Sequence, residues 1–548
     1  MTRAGGWLVR PGRAAALLLA TFVLLEIGSH RHMTLTTDER SHYNYGWQLL
    51  HFETGRWDDS LLPFSALNAL PRLLVSSLDL SPLRRHLETI EFGRYATVAG
   101  AVCLGWLVFR WSGALYGPAA GLLALTLFVF DPAILAHGGL VTADLYAAWM
   151  ITLAVWSLWR LLNHHGPGRW RKALVSAGIF GLAQLAKYTS AYLVPIFCLI
   201  AAGHAAPELW SLARTGDWRA LGGRLLTAGK YAALYVAAFL VVVNAGFWGQ
   251  DTLRPLASCH FRSQQFRELQ TAALRVVPGL RLPVPWTYVE GLDWTLSNER
   301  AGNNVYLLGQ LGKGGVPGRR FPEYYAVAWL YKEPIATQLL LLLALVCYLA
   351  RFRRFDFRRN EWPLACAVVF FACYFTFVFN FQIGYRYALV VLPIIFVFTG
   401  SVLSEAASPG RGTKGLVGGL VAYLVVSVLS YYPHFLPYFN ELVWDRTKAY
   451  RILVGSDLSW GQNRWYVERY LRRHPDALFE PDGPQAGTIV VHANLYVGRW
   501  HVEKYRWLRE NFEPVGHVAH GHLIFRVTPE ALRRVTDPLA ADWADKES

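Results

Sequence analysis

Asp38 and Glu39 follow closely on the first long apolar run, in the segment Thr36-Thr37-Asp38-Glu39-Arg40-Ser41-His42-Tyr43. Acids placed where a membrane helix meets water stay ionised cheaply. One of them can take a proton from a substrate arriving through water while the other substrate stays in lipid. A second acidic segment, Asp131 to Asp144, holds His137 and Thr142 between two further apolar runs. Thr142 is a good N-cap, which puts Asp144 in the first turn of the next helix, where an acid also complements the helix dipole. Asp38, His42, His137 and Asp144 are metal-ligand types as well, and Asp38 and His42 share a helical face. No tight ligand motif requires a metal, so no metal residues are assigned and a divalent cation stays open as a cofactor.

Two cations match these acids. Lys187-Tyr188 follows Gln184 at the end of one apolar run, and Arg386 opens another in Gly384-Tyr385-Arg386-Tyr387. Such residues either snorkel to headgroups or grip a phosphate, and Arg suits a two-pronged grip. Near the C-terminus, Gly455-Ser456-Asp457-Leu458-Ser459-Trp460-Gly461-Gln462-Asn463 sets an indole beside amide and carboxylate groups, as a carbohydrate site requires. This stretch is expected to begin a helix capped by Ser456 or Asp457.

The elements that position these residues are mostly membrane helices. Of 548 residues, 53% are hydrophobic and 17% charged, too apolar for an ordinary soluble chain. Eleven apolar runs read as spans: 13–29, 94–110, 118–135, 143–162, 173–187, 189–204, 228–248, 335–350, 362–379, 387–403 and 415–432. The first reads as a retained anchor rather than a cleaved signal peptide, because Glu26 interrupts it and no small-residue cleavage site follows.

The formal charge of +15 gathers in alternate short loops. These carry Arg3, Arg10 and Arg13; Arg169, Arg171 and Lys172; Arg214, Arg219, Arg224 and Lys230; and Arg351, Arg353, Arg354, Arg358 and Arg359. That is the positive-inside pattern, not a nucleic-acid surface. It predicts a multi-pass plasma-membrane protein with a cytoplasmic N-terminus and a periplasmic C-terminus. Residues 30–93, 136–142, 250–334, 380–386 and 433–548 then lie outside. The six cysteines show no disulfide or metal spacing.

Residues 61–71 suit a short interfacial helix broken by prolines. The Gly- and Pro-rich but aromatic loop 250–334 is expected to be ordered. Residues 433–548 form a separate α/β region, with helices at 465–473 and 502–511, a strand at 487–492 and one or two strands within 516–527. The expected fold is therefore mostly α. A membrane module of about eleven helices spans 1–432, followed by a small α/β C-terminal domain.

Taken together these residues resemble bacterial relatives of the dolichyl-phosphate-mannose protein mannosyltransferases, a group with the GT-C membrane fold that includes aminoarabinose transferases. The resemblance rests on Asp38-Glu39, on His137 to Asp144, and on Lys187-Tyr188-Thr189. It continues in Phe321-Pro322-Glu323-Tyr324-Tyr325, Tyr331-Lys332-Glu333-Pro334, Tyr385-Arg386-Tyr387, Tyr438-Phe439-Asn440-Glu441 and Ser456 to Gln462. It implies an inverting glycosyltransferase that moves a sugar from a polyprenyl phosphate to an extracytoplasmic acceptor: protein, lipid or polysaccharide.

In that reading Asp38 is the general base. Glu39 orients the acceptor or the loop, Asp144 positions the site, and Lys187 and Arg386 hold the leaving phosphate. His42, His137, Tyr188, Tyr387, Asp457, Trp460 and Gln462 complete the substrate-binding set. Ser459 and Asn463 stand where the family's C-terminal motif carries acids, which argues against direct catalysis by Asp457. The alternative is a transporter or lipid-linked-sugar flippase, which would favour internal repeats and midplane sites; the sequence shows no repeat.

The loop charges yield the first expected outcome. A reporter fused after residue 440 should report the non-cytoplasmic side, and one fused near Arg354 the cytoplasm. The reverse at either position would put the acids in the wrong compartment.

Overall fold

The computed structural model of the chain describes residues 11–53, 55–76, 88–164, 166–313, 316, 320–406 and 408–536. Arg3 and Arg10 lie outside them. In lipid a segment must satisfy its own backbone N–H and C=O groups, so long apolar runs become helices. Each of the eleven apolar runs contains helix, although 118–135 is broken at Phe130 and Asp131, 173–187 ends at Ala183 and 387–403 is partly 3-10. Among the described residues, six helices are long and apolar enough to cross a membrane: Pro11–His30, Ile90–Tyr116, Ala143–Leu162, Tyr188–Thr215, Trp218–Gly246 and Arg411–Leu429. Pro118–Val129, Trp362–Phe377 and Leu392–Leu403 are shorter apolar helices. Tyr324–Lys332 and Ile335–Ala350 join at a bend of 108°, where Pro334 supplies no N–H to continue the first helix. The chain is a multi-pass membrane protein, mostly helical.

Most helices pack into one apolar core. Trp218–Gly246 is different. Over its 29 residues only Val243 is fully buried, and Leu225, Leu226, Val236 and Val241 face outward. The short helices Glu39–Leu50 and Ser65–Ser76 pack on one another beside the start of Ile90–Tyr116. Pro71 lies within the second of them.

The C-terminal region builds a four-stranded sheet from β1 (Leu478–Phe479), β2 (Gly487–His492), β3 (Gly516–Val518) and β4 (His522–Val527), in the order β1-β2-β4-β3. Strand β2 runs antiparallel to β4, with Gly487 opposite Val527. The expected helix at 465–473 is Arg464–Arg473, and the one at 502–511 shortens to Arg506–Asn511 behind a turn in which His501 has φ +58°. The helix expected to start at Ser456 or Asp457 is absent. Gly455–Asp457 makes only a single 3-10 turn, and the Asp457 carboxylate accepts from Tyr385 N and the Tyr324 hydroxyl instead of capping.

This region does not stand apart from the membrane helices. Thr34 N donates to Gln462 O and Thr37 N to Trp460 O, both at 3.1 Å. Lys332 Nζ donates to Asp457 O at 2.8 Å.

One buried ion pair fixes the turn that carries Asp38. Glu39 and Arg94 are both fully buried. Arg94 Nε donates to Glu39 Oε1 at 2.8 Å and Nη2 to Oε2 at 2.7 Å. Thr36 N and Val141 N complete the carboxylate's partners. Burial alone would raise the Glu39 carboxyl, but Arg94 and the two amides outweigh it and hold the group below its ordinary range.

A carboxyl depressed on folding contributes stability above its unfolded pKa, and that stability is lost as pH falls through the folded value. Arg94→Ala should therefore cost about 3–5 kcal/mol at neutral pH by stranding the carboxylate. It should also flatten the acid limb of stability, as read by thermal unfolding in detergent across pH. A variant as stable as wild type would show that the pair holds nothing.

Candidate functional site

Four helix ends meet at one end of the bundle and bring four charges together. Asp38 is the N-cap of Glu39–Leu50, and Asp144 lies in the first turn of Ala143–Leu162. Lys187 precedes the 3-10 turn Tyr188–Tyr192, and Arg386 sits in the 3-10 turn Tyr385–Val390. Lys187 Nζ donates to Asp144 Oδ1 at 2.5 Å. Arg386 Nη1 reaches Asp38 Oδ2 at 3.3 Å and Asp144 Oδ2 at 3.4 Å. Two cations thus share Asp144, and one of them also reaches Asp38.

The four differ in access to water. The Asp38 side chain is 40% exposed, Lys187 21%, Arg386 10% and Asp144 4%. Asp38 is the open acid and Asp144 the sealed one.

Aromatic faces frame the cations. The Arg386 guanidinium lies 4.1 Å from the centre of the Trp460 ring and 5.6 Å from that of Tyr387. Lys187 Nζ lies 4.3 Å from the Tyr387 ring. Weakly solvated cations are attracted to such faces. The Trp460 ring also packs near His137, 6.0 Å between centroids. Burial lowers His137 to about 4, so it is neutral at physiological pH and offers a hydrogen-bonding nitrogen rather than a charge. His42 is likewise lowered by burial, and its Nδ1 hydrogen-bonds with Ser65 Oγ at 3.0 Å. Arg386 Nε and His137 Nδ1 are buried without a hydrogen-bond partner among the described residues. Both are polar atoms still in need of one.

Other candidates lie elsewhere or serve the frame. The role expected of Glu39 is to orient the acceptor or the loop; its oxygens are taken by Arg94 and backbone amides, so only the loop is within its reach. Tyr188 turns away from the cations, and its hydroxyl accepts from Arg56 Nη1 at 3.1 Å. Asp457 is buried, which raises its carboxyl, and it faces Tyr385 and Tyr324. Gln462 folds back on its own turn, accepting from Trp460 N.

Among the described residues, no group of three or more His, Cys, Asp or Glu side chains is arranged to hold a metal ion. Asp38 and Asp144 are engaged by Arg386 and Lys187, so this donor set does not fit a divalent cation.

Sequence reasoning left out Arg94, although an ionisable residue at the start of an apolar helix is itself a signal of function or pairing. It also left out the clamp on Tyr385, whose hydroxyl donates to Glu333 Oε1 at 2.7 Å. Gly384, just before it, allows a close approach: a Cβ there would lie 2.0 Å from Ser456 Oγ, which donates to Ile383 O.

Residues 90–214 match the family model described as dolichyl-phosphate-mannose-protein mannosyltransferase. The match to that family covers less than half of the chain. The matched stretch holds Arg94, His137, Asp144 and Lys187. No curated protein matches.

Among solved structures, the chain is similar to the Archaeoglobus fulgidus oligosaccharyltransferase, with 12% identity and a TM-score of 0.43, over 75% of this chain and 54% of that one. It thus spans about half the length of that protein. It is also similar to ArnT from Cupriavidus metallidurans, with 12% identity and a TM-score of 0.31 in the apo state, over 93% of this chain and 97% of that one. The same protein bound to undecaprenyl phosphate gives 11% identity and 0.31, over 94% and 98%. Likenesses this distant carry no weight for the chemistry of the site.

The contrast between the two acids has a measurable consequence. Asp144→Asn leaves Lys187 and Arg386 sharing a site without its sealed anion and should cost about 3–5 kcal/mol. Asp38→Asn removes a solvated partner and should cost about 0–1 kcal/mol. Thermal unfolding of both variants in detergent checks the order, and equal losses would refute the distinction.

Proposed function

We propose that the chain is an inverting glycosyltransferase of the GT-C type. It takes its donor as a sugar on a polyprenyl phosphate and passes the sugar to an extracytoplasmic acceptor. The observation that carries this reading is the convergence of a water-accessible acid, Asp38, with two cations, Lys187 and Arg386, at one end of an apolar bundle. The match of residues 90–214 to a mannosyltransferase family supports it.

Asp38 takes the proton from the acceptor hydroxyl or amine as that group attacks the anomeric carbon. The bond from this carbon to the phosphate oxygen breaks, and its electron pair leaves with the polyprenyl phosphate. Lys187 and Arg386 receive the negative charge that develops there, so no general acid is needed. Asp144 keeps the two cations together. The neutral nitrogens of His42 and His137 are placed to bond sugar or acceptor hydroxyls, and Trp460 and Tyr387 supply aromatic faces. The lipid tail stays among the helices, the acids face the periplasm and the protein resides in the plasma membrane.

Asp38→Asn keeps the shape and removes the base. Transfer from a lipid-linked sugar in a detergent assay should fall roughly 10²–10⁴-fold while the protein remains folded. Near-normal transfer would remove Asp38 from the mechanism. Arg386→Lys should raise the donor concentration needed for half-saturation more than the acceptor's, because an ammonium cannot reproduce the planar fork.

A further inference from the structure

The segment that follows the helix Arg411–Leu429 builds a cleft of its own. Tyr438-Phe439-Asn440-Glu441 is one of the stretches on which the family resemblance rests, and the proposed reaction uses none of it. Asn440 serves the frame, its Nδ2 donating to Leu330 O at 2.6 Å and to Glu333 O at 2.7 Å. Glu441 reaches the end of Arg411–Leu429 instead. Its Oε2 accepts from the Tyr423 hydroxyl at 2.6 Å and its Oε1 from Ser427 Oγ at 2.5 Å. Beside it opens a cleft of about 230 Å³, whose walls include Tyr431, Phe439, Glu441, Trp444 and Arg446. At about 30 Å³ for each water, that is room for several, and so for a small polar group.

Arg446 is the cation of this cleft. Its Nη1 donates to Ser430 O at 3.1 Å and its Nη2 to Ser430 Oγ at 2.6 Å, and the guanidinium lies 3.8 Å from the centre of the Tyr431 ring. These contacts fix its plane and leave part of the fork's N–H donors for a ligand. The Glu441 carboxylate likewise keeps acceptor capacity beyond its two hydroxyl donors. Among the described residues neither charge has an ion-pair partner, since Asp445, next to Arg446, pairs with Lys448 at 3.5 Å. An anion and a cation thus line one cleft without neutralising each other. A ligand that carries both charges completes both, whereas one of a single sign meets repulsion at one wall.

The cleft opens where the chain leaves the membrane. Ser427 and Ser430, which hold Glu441 and Arg446, lie at the end of Arg411–Leu429. Trp444 is 90% exposed and Leu442 53%, and Tyr432 is exposed beside them in sequence. Large apolar side chains bare at the end of a span belong at the bilayer surface, with an indole at the depth of the headgroups. A guanidinium at that depth meets lipid phosphates.

We propose that this cleft binds the headgroup of a bilayer phospholipid whose phosphate carries a primary ammonium. Arg446 takes the phosphate and Glu441 the ammonium, while Trp444 and Leu442 lie against the glycerol and the upper chains. A quaternary ammonium has no N–H to give Glu441. A headgroup without an amine leaves the carboxylate facing a phosphate. The site needs neither the glycosyltransferase reading nor a particular side of the membrane.

The test uses full-length protein in detergent, with the tightest-bound lipid read by native mass spectrometry. The probes are phosphatidylethanolamine, phosphatidylglycerol and phosphatidylcholine with the same chains, and soluble glycerophosphoethanolamine. Wild type should bind phosphatidylethanolamine about tenfold more tightly than the other two lipids, the scale of one hydrogen bond to a charged group. Glu441→Gln should abolish that preference and still bind phosphatidylglycerol at least as well as wild type. Arg446→Gln should weaken phosphatidylethanolamine and phosphatidylglycerol alike, by about tenfold. Trp444→Ser should weaken all three lipids and leave their order unchanged.

Wild type without the preference, a Glu441→Gln protein that keeps it, or an Arg446→Gln protein that binds as wild type overturns the proposal. Glycerophosphoethanolamine should displace the lipid only at much higher concentration; displacement at equal concentration overturns a lipid as the occupant. If Glu441→Gln does not fold, the wild-type order and Arg446→Gln still decide the matter.

Discussion

A carboxylate without water must find its hydrogen-bond donors in the protein, and Glu39 finds four: Arg94 Nε and Nη2, Thr36 N and Val141 N. These come from the turn after the first helix, the start of the helix Ile90–Tyr116 and the loop before Ala143–Leu162. One buried anion thereby fixes three segments against each other. Asp38 is the residue before Glu39, and Asp144 lies three residues beyond Val141. The spacing of the two acids around Arg386 is therefore set from below, by a pair that touches no substrate.

The arrangement separates tasks that one carboxylate could not combine. A base must be open to water and to an incoming acceptor, whereas an anion that holds two cations together must be sealed, so that the pairing is not screened. On the proposed reading, Asp38 and Asp144 divide these tasks by exposure rather than by chemistry. The C-terminal region contributes Trp460 and Asp457 to the same end of the bundle, which makes the sheet-bearing unit part of the site.

Much of this was legible in the chain, because membrane proteins write their constraints plainly. Long apolar runs had to be helices, and cations at helix ends away from the basic loops needed a reason to be there. Lys187 and Arg386 were found that way, although nothing in their spacing, 199 residues apart, could reveal that they meet across Asp144. The strand Gly487–His492 followed from its alternation and its β-branched residues. The helix expected at Asp457 failed because the capping rule is local. Tyr385 N and the Tyr324 hydroxyl, remote in sequence, claimed the carboxylate first. Tyr188 misled for the same reason: its neighbour Lys187 faces the acids, while an extended backbone at Lys187 turns the next side chain towards Arg56.

The helix Trp218–Gly246, exposed along one side, has a mechanical consequence. Its 29 residues reach roughly 43 Å at ~1.5 Å per residue, against a hydrocarbon layer of ~30 Å. Protein packs along one side of it, against Arg169–Ala183 and Leu193–Thr215, and leaves the other side to the bilayer. The helix must either lean or carry Arg219, Arg224 and Lys230 out among the headgroups. A thinner or thicker membrane would shift that balance and, through Phe247 packed against Tyr288, pull on the helix Trp286–Ala301. Lipid composition thereby becomes a mechanical input to the loop between residues 247 and 301.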